Sequence, residues 1–172
     1  MKTILIILLT VLIIFFQLQA HSETSIDDEY ECRNAAMHSI GELNKLQKDV
    51  LAFSTNRHAF AKNSHAFSNK EQAIDDCEMA LKIYDELNII IANTEHLYDI
   101  IRIRGIMTNT SERAFANSLA HEHTQYMTGL IDLNINAINQ HLFNTHSPAL
   151  VSLCNQIKAE LSKVQYLLTH ID

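Results

Sequence analysis

Apolar residues recur every three or four positions along residues 73–101, with polar residues between them. An α-helix completes a turn in about 3.6 residues, so this spacing places the apolar side chains on one face of a long helix. The residues on that face are Cys77, Ala80, Tyr84, Leu87, Ile91, Thr94, Tyr98 and Ile101. We expect Gly105 to end this helix in the left-handed conformation that glycine adopts readily.

The two segments that follow show the same spacing. A third helix is predicted over residues 110–143, with an apolar side that starts with Phe115, Leu119 and Tyr126 and continues from residue 127 to residue 142. A fourth helix is predicted to begin at Ser147-Pro148, because serine caps the first backbone N–H groups and proline needs no partner for its missing N–H.

The first helix is expected to start near Ser25, where a hydroxyl residue is followed by acidic residues. Its end is less well defined by the pattern. Ser54-Thr55-Asn56 indicates a break, whereas phenylalanines at seven-residue intervals favour continuation to about Phe67. We predict that the helix resumes or continues to that point.

The chain has only three glycines and one proline, and folds rich in strands and turns need more of both. Four helices joined by short connections must alternate in direction, since each short loop reverses the chain. The sequence therefore predicts an all-α fold, an up-down-up-down four-helix bundle.

The N-terminal residues have the three-part pattern of a secretory signal peptide. Lys2 is followed by an apolar run from Ile4 to Phe16 and by a more polar stretch that ends in Ala20. We expect residues 1–20 to be a signal peptide and residues 21–172 to form a single helical-bundle domain, secreted or periplasmic. The alternative is an uncleaved membrane anchor, because the run approaches the ~20 residues that span a bilayer.

The formal net charge is −7. An acidic chain is repelled by phosphate backbones and by anionic lipid, so we expect neither nucleic acid nor an anionic membrane surface as a partner.

Three cysteines in an exported chain suggest a disulfide. Cys77 and Cys154 each lie a few residues into a helix that starts from the same end of the bundle, so they are the predicted pair. The alternative is that both are buried thiols, because the second and fourth helices are diagonal in a square bundle and a disulfide needs Cα atoms within about 7 Å. Cys32 would then be a spare thiol or an intermolecular link that makes an oligomer.

The ten histidines match no known metal-binding motif. The bundle topology places His65, His141 and His146 at one end, where the first helix ends and the third turns into the fourth. This is a candidate metal site and the only cofactor site that the sequence suggests; the alternative is that these histidines are simply solvated.

No convergent set of carboxylates and histidines identifies a catalytic centre, so the sequence assigns no catalytic residue. The favoured interpretation is a non-enzymatic protein that binds a protein partner. The alternative is a carrier of a small ligand or a metal, held in an inter-helix cavity or by the histidine cluster. An exposed apolar strip on a helix pair would favour the first, and an enclosed cavity between helices the second.

Overall fold

The fold consists of four α-helices in a computed structural model. The structure describes the backbone of residues 2–63, 67–145 and 147–171 and, within them, the side chains of residues 29–63, 69–143, 145 and 147–171. The helices are α1 (Lys2–Asn63), α2 (Phe67–Ile106), α3 (Thr110–Asn144) and α4 (Pro148–Leu168). No strand occurs in the described ranges, and the predicted all-α four-helix fold is confirmed.

Neighbouring helices run antiparallel. In each pair, residues of increasing number on one helix contact residues of decreasing number on the other. α1 packs against α2 and α4, and α3 packs against the same two helices. Between α1 and α2 the contacts are Arg57–Asp76, Gln47–Asn88 and Glu29–Arg104, and from α2 to α3 and its C-terminal cap they are Asp76–Thr145 and Asn93–His123. Between α3 and α4 they are Asn139–Lys158 and Asp132–Gln165. Between α1 and α4 with the turn after it they are Ser39–Glu160 and Cys32–His170.

The N-terminal caps of α3 and α4 involve the residues that the sequence predicts. The side chain of Asn109 accepts a hydrogen bond from the backbone N–H of Ser111, and the Ser147 hydroxyl accepts one from Leu150, with Pro148 in the first turn. These side chains satisfy N–H groups that have no partner inside the helix. The predicted starts of both helices are confirmed.

The structure corrects both predicted limits of α1. The helix already includes Ser25, the expected start, and it ends at Asn63 rather than near Phe67. The Ser54-Thr55-Asn56 segment does not interrupt it. Thr55 Oγ1 donates to the Leu51 carbonyl one turn earlier, at 2.9 Å, and Ser54 Oγ lies 3.1 Å from Cys77 Sγ of α2. Both hydroxyls therefore find partners without breaking the helix.

The prediction for Gly105 is wrong. Gly105 lies inside α2, and no described residue has a positive φ. A Cβ at this position would lie 3.0 Å from a carboxylate oxygen of Glu29, which forms ion pairs with Arg104 and Arg113. The absence of a side chain thus leaves room for this carboxylate between two cations.

All four helices contribute to one hydrophobic core. Its largest fully buried side chains include Leu43 of α1, Leu87 of α2, Ile131 of α3 and Leu161 of α4. Full burial of such a side chain contributes about 1.5–3 kcal/mol. Within the part of the chain whose side chains are described, no helix has a segment long and apolar enough to cross a bilayer. The side chains of the expected signal peptide, residues 1–20, lie outside that part.

Candidate functional site

The predicted metal site can be placed only in part. His65 and His146 lie outside the described residues, and His141 is half-buried on α3. Burial lowers the pKa of His141, and the positive charge of Lys82 lowers it further. Among the described residues, no group of three or more histidines, cysteines or carboxylates is arranged to hold a metal ion.

The predicted Cys77–Cys154 disulfide is not formed, and this prediction is corrected. α2 and α4 each pack against α1 and α3, so the two cysteines lie on diagonal helices. Both are buried thiols, and burial raises the pKa of Cys154 to about 11. The alternative interpretation, small apolar residues in the core, therefore describes them. Cys32 is also buried, and its Sγ lies 3.8 Å from the His170 carbonyl.

An open groove of about 420 Å³ lies between α1 and α4. Its lining combines ionisable side chains, among them Glu31, His38 and Lys163, with apolar ones such as Ala35 and Leu167. Small-ligand sites have volumes of about 300–1,000 Å³ but enclose most of the ligand surface. This groove has a suitable volume without that enclosure.

The outer surface of the α2–α3 pair carries a run of exposed large apolar side chains. We call it the α2–α3 strip. Its members are Ile89 and Ile103 of α2 and Phe115, Leu119, Tyr126 and Leu133 of α3, and His96 and His123 lie among them. Residues seven apart lie on the same side of a helix, so Ile89, His96 and Ile103 form one row and Leu119, Tyr126 and Leu133 form the other.

Ring contacts join the two rows. The His96 and His123 rings meet edge to face with centroids 4.9 Å apart, and the His123 and Tyr126 centroids are 6.3 Å apart. His123 Nε2 donates to the Asn93 carbonyl at 2.9 Å, which fixes its ring between the helices. The strip is thus one surface that spans two helices.

The sequence pattern placed three of the four α3 residues of this strip on the apolar side of the helix, and these three do not face the core. Phe115, Leu119 and Tyr126 are exposed, whereas Ala116 and Ala120 are buried beside them. Small residues let α3 approach its neighbours closely, and the bulky residues one position earlier then point outward. The available signal was the pair of alanines, Ala116 and Ala120, which lie four residues apart.

Charged side chains lie along the same helix pair, beyond Ile89 of α2 and Leu133 of α3. Burial raises the pKa of Glu86, and Lys82 one turn away lowers it again in part. Glu86 Oε2 is buried and has no hydrogen-bond partner among the described residues. Lys82 also lowers the pKa of His141, so its charge acts on a carboxyl group of α2 and on an imidazole of α3.

No protein-family model, no curated protein and no solved structure matches the chain. The candidate site therefore has to be judged on its own geometry.

Proposed function

We propose that the chain is an exported, non-enzymatic helical protein that binds a protein partner through the α2–α3 strip. The observation that carries this proposal is the strip itself: six large apolar side chains exposed along one helix pair. Contiguous apolar surface is costly in water and commonly marks a site of association. The N-terminal pattern of residues 1–20 supports the proposed export.

Aromatic and leucine side chains at the middle of the strip suit a binding surface. Tyrosine combines a large apolar area with a hydroxyl that tolerates water, and it loses little conformational freedom when it is covered. Tyr126 lies between Leu119 and Leu133 in its row and contacts the ring of His123, so it is the expected anchor.

The proposal is tested by chemical cross-linking of three forms of the protein in extracts of the source organism. The first is the unaltered chain, and the second carries Tyr126→Ser with Leu133→Ser. The third carries Tyr30→Ser with Leu51→Ser on α1; Tyr30 is 57% exposed and Tyr126 is 56% exposed, so the tyrosines are matched. We expect a partner that cross-links to the first and third forms and not to the second. Equal cross-linking of all three would contradict the proposal.

A small-ligand carrier is the second candidate, and the groove between α1 and α4 favours it. Native mass spectrometry of the purified protein would show a bound small molecule if this groove is the functional site. Zinc titration tests the metal version with His65, His141 and His146, for which binding in the low micromolar range or tighter is the expected sign. Loss of zinc binding in His141→Ala would then implicate this cluster.

A further inference from the structure

We infer that the partner presents a basic amphipathic helix to the α2–α3 strip, with lysine or arginine on either side of its apolar face. This inference rests on the proposed function and specifies the chemistry of its partner. Three features of the structure carry it: the distribution of charge among the helices, the positions of acidic residues beside the strip, and the two-row geometry of the strip.

More than half of the acidic residues lie on the two helices that form the strip. α2 has eight acidic and four basic residues, and α3 has three acidic and one basic. By contrast, α1 has seven acidic and six basic residues, and α4 has one acidic and two basic. The net negative charge is therefore concentrated on α2 and α3, the two helices that carry the strip.

Three exposed carboxylates lie directly beside strip residues. Asp85 is one turn before Ile89, Asp99 is one turn before Ile103, and Glu122 is one turn before Tyr126. Asp99 forms an exposed ion pair with Arg102 at 3.2 Å. Asp85 and Glu122 form no ion pair with any described residue, so both are available to a cationic partner.

A second copy of the chain fits this surface poorly. Two copies that met through their α2–α3 strips would bring acidic helices against acidic helices, and like charges across an interface weaken association. A partner with positive charge beside its apolar residues would bury the strip and pair with Asp85 and Glu122 at the same time.

The two rows of the strip suit a helical partner. A helix packs against two antiparallel helices when side chains at seven-residue intervals contact it from both of them. Here the α3 row is apolar at every such position, and the α2 row has Ile89 and Ile103 on either side of His96. The α3 row from Leu119 to Leu133 spans fourteen residue steps, which at 1.5 Å per residue is about 21 Å. A partner helix of roughly four turns would cover it.

The test uses two synthetic eighteen-residue peptides with the same leucine face, one with lysine and one with glutamate on the polar face. Each is labelled with a fluorophore and titrated with the purified protein, and binding is followed by fluorescence anisotropy. We expect the lysine peptide to bind at least about tenfold more tightly than the glutamate peptide and to lose affinity as salt is raised.

Two matched triple variants locate the charge effect. The first carries Asp85→Asn, Asp99→Asn and Glu122→Gln beside the strip. The second carries Glu31→Gln, Glu42→Gln and Asp49→Asn on α1 and removes the same charge; Glu42 pairs with Lys45 as Asp99 pairs with Arg102. The first set should weaken binding of the lysine peptide roughly tenfold and the second less than about threefold, with unchanged circular dichroism in both.

The outcomes separate this inference from the proposed function. If the two peptides bind equally, or if both triple variants weaken binding equally, the inference of a basic partner is wrong. Loss of cross-linking in the Tyr126→Ser, Leu133→Ser variant would still support a protein-binding strip. If the lysine peptide binds that variant as well as the unaltered chain, the strip is not the binding surface and both ideas fail. If the unaltered protein sediments as a dimer and that variant as a monomer, the occupant is a second copy and this inference is overturned.

Discussion

Arg57 of α1 donates to Asp76 of α2 through both Nε and a terminal nitrogen, at 3.1 and 2.5 Å. The second carboxylate oxygen of Asp76 accepts from the Thr145 hydroxyl at 2.8 Å, in the connection between α3 and α4. Asp76 is buried, whereas the Arg57 side chain remains partly exposed. One carboxylate thus joins three segments of the chain at one end of the bundle.

The asymmetric burial of this pair predicts unequal mutational costs. Arg57→Met keeps most of the aliphatic length but leaves Asp76 buried without its cation, so it should cost about 3 kcal/mol in the free energy of unfolding. Asp76→Asn leaves Arg57 able to reach water and retains an oxygen for a hydrogen bond, so it should cost only about 1–2 kcal/mol. Urea denaturation of each variant measures these values.

The double variant serves as the control for this pair. If the two residues act through each other, Arg57→Met combined with Asp76→Asn costs less than the sum of the single changes, because no buried charge is left unpaired. Additive costs, or a cost below about 1 kcal/mol for Arg57→Met, would show that the ion pair contributes little.

A leucine in the core and a leucine in the α2–α3 strip should differ in how much they contribute to stability. Leu97 is 0% exposed and Leu133 is 70% exposed. Leu97→Ala should lower the free energy of unfolding by about 2–5 kcal/mol, since it leaves a cavity. Leu133→Ala should change it by less than about 0.5 kcal/mol. Denaturant titrations of both variants would refute the assigned burial if Leu133→Ala proved as destabilising as Leu97→Ala.

The buried Cys154 thiol should make the protein less stable at alkaline pH. Its pKa is raised from an ordinary 9.0 to about 11 because burial disfavours the thiolate. The unfolded chain therefore ionises first, so this contribution is complete below pH 9 and is lost as the pH rises towards 11. By pH 11 the loss should reach about 2 kcal/mol.

Comparison with Cys154→Ala isolates this effect from the other groups that titrate in the same range. The variant should be less stable at pH 8 but should lose about 2 kcal/mol less than the unaltered chain between pH 9 and pH 11. Parallel pH curves for the two proteins would argue against a buried thiol. The same measurement with and without reductant should agree, since Cys77 and Cys154 form no disulfide.

Removal of the Lys82 charge should change the pKa values of two neighbouring groups. Its charge lowers the pKa of both Glu86 and His141, so Lys82→Gln should raise both values. Burial is the larger cause in each case, so His141 should stay below its ordinary value even without the lysine. NMR titration of the two side chains measures this, with Lys158→Gln as a control on another helix. A pKa shift in only one group would show that the Lys82 charge does not act on both.

The helices could be predicted from the sequence because local signals define them. Heptad-like spacing, Asn109 and the Ser147-Pro148 pair act within a turn or two, and the structure keeps them. The limits of α1 could not be predicted. Whether Ser54 ends a helix depends on Cys77, which lies 23 positions away and becomes its neighbour only after folding.

The candidate site depended on the same kind of distant information. Phe115, Leu119 and Tyr126 follow a helical spacing, but spacing alone does not show which of two adjacent rows faces the core. The buried row contains Ala116 and Ala120, whose small volume allows close packing of α3. Since apolar size was the stronger signal in the sequence, it favoured Phe115, Leu119 and Tyr126 as the apolar side of the helix.

Export predicts a defined new N-terminus. If residues 1–20 are a signal peptide, the protein recovered outside the cytosol begins at His21, because the peptidase accepts a small residue such as Ala20 before the cut. Ala20→Phe should block this cleavage and hold the protein at the membrane, while His21→Ser should be cleaved normally. N-terminal sequencing and membrane fractionation test both variants. An unaltered chain that keeps Met1 and sediments with membranes would identify the apolar run as an anchor, and the partner of the α2–α3 strip should then be sought at the membrane surface.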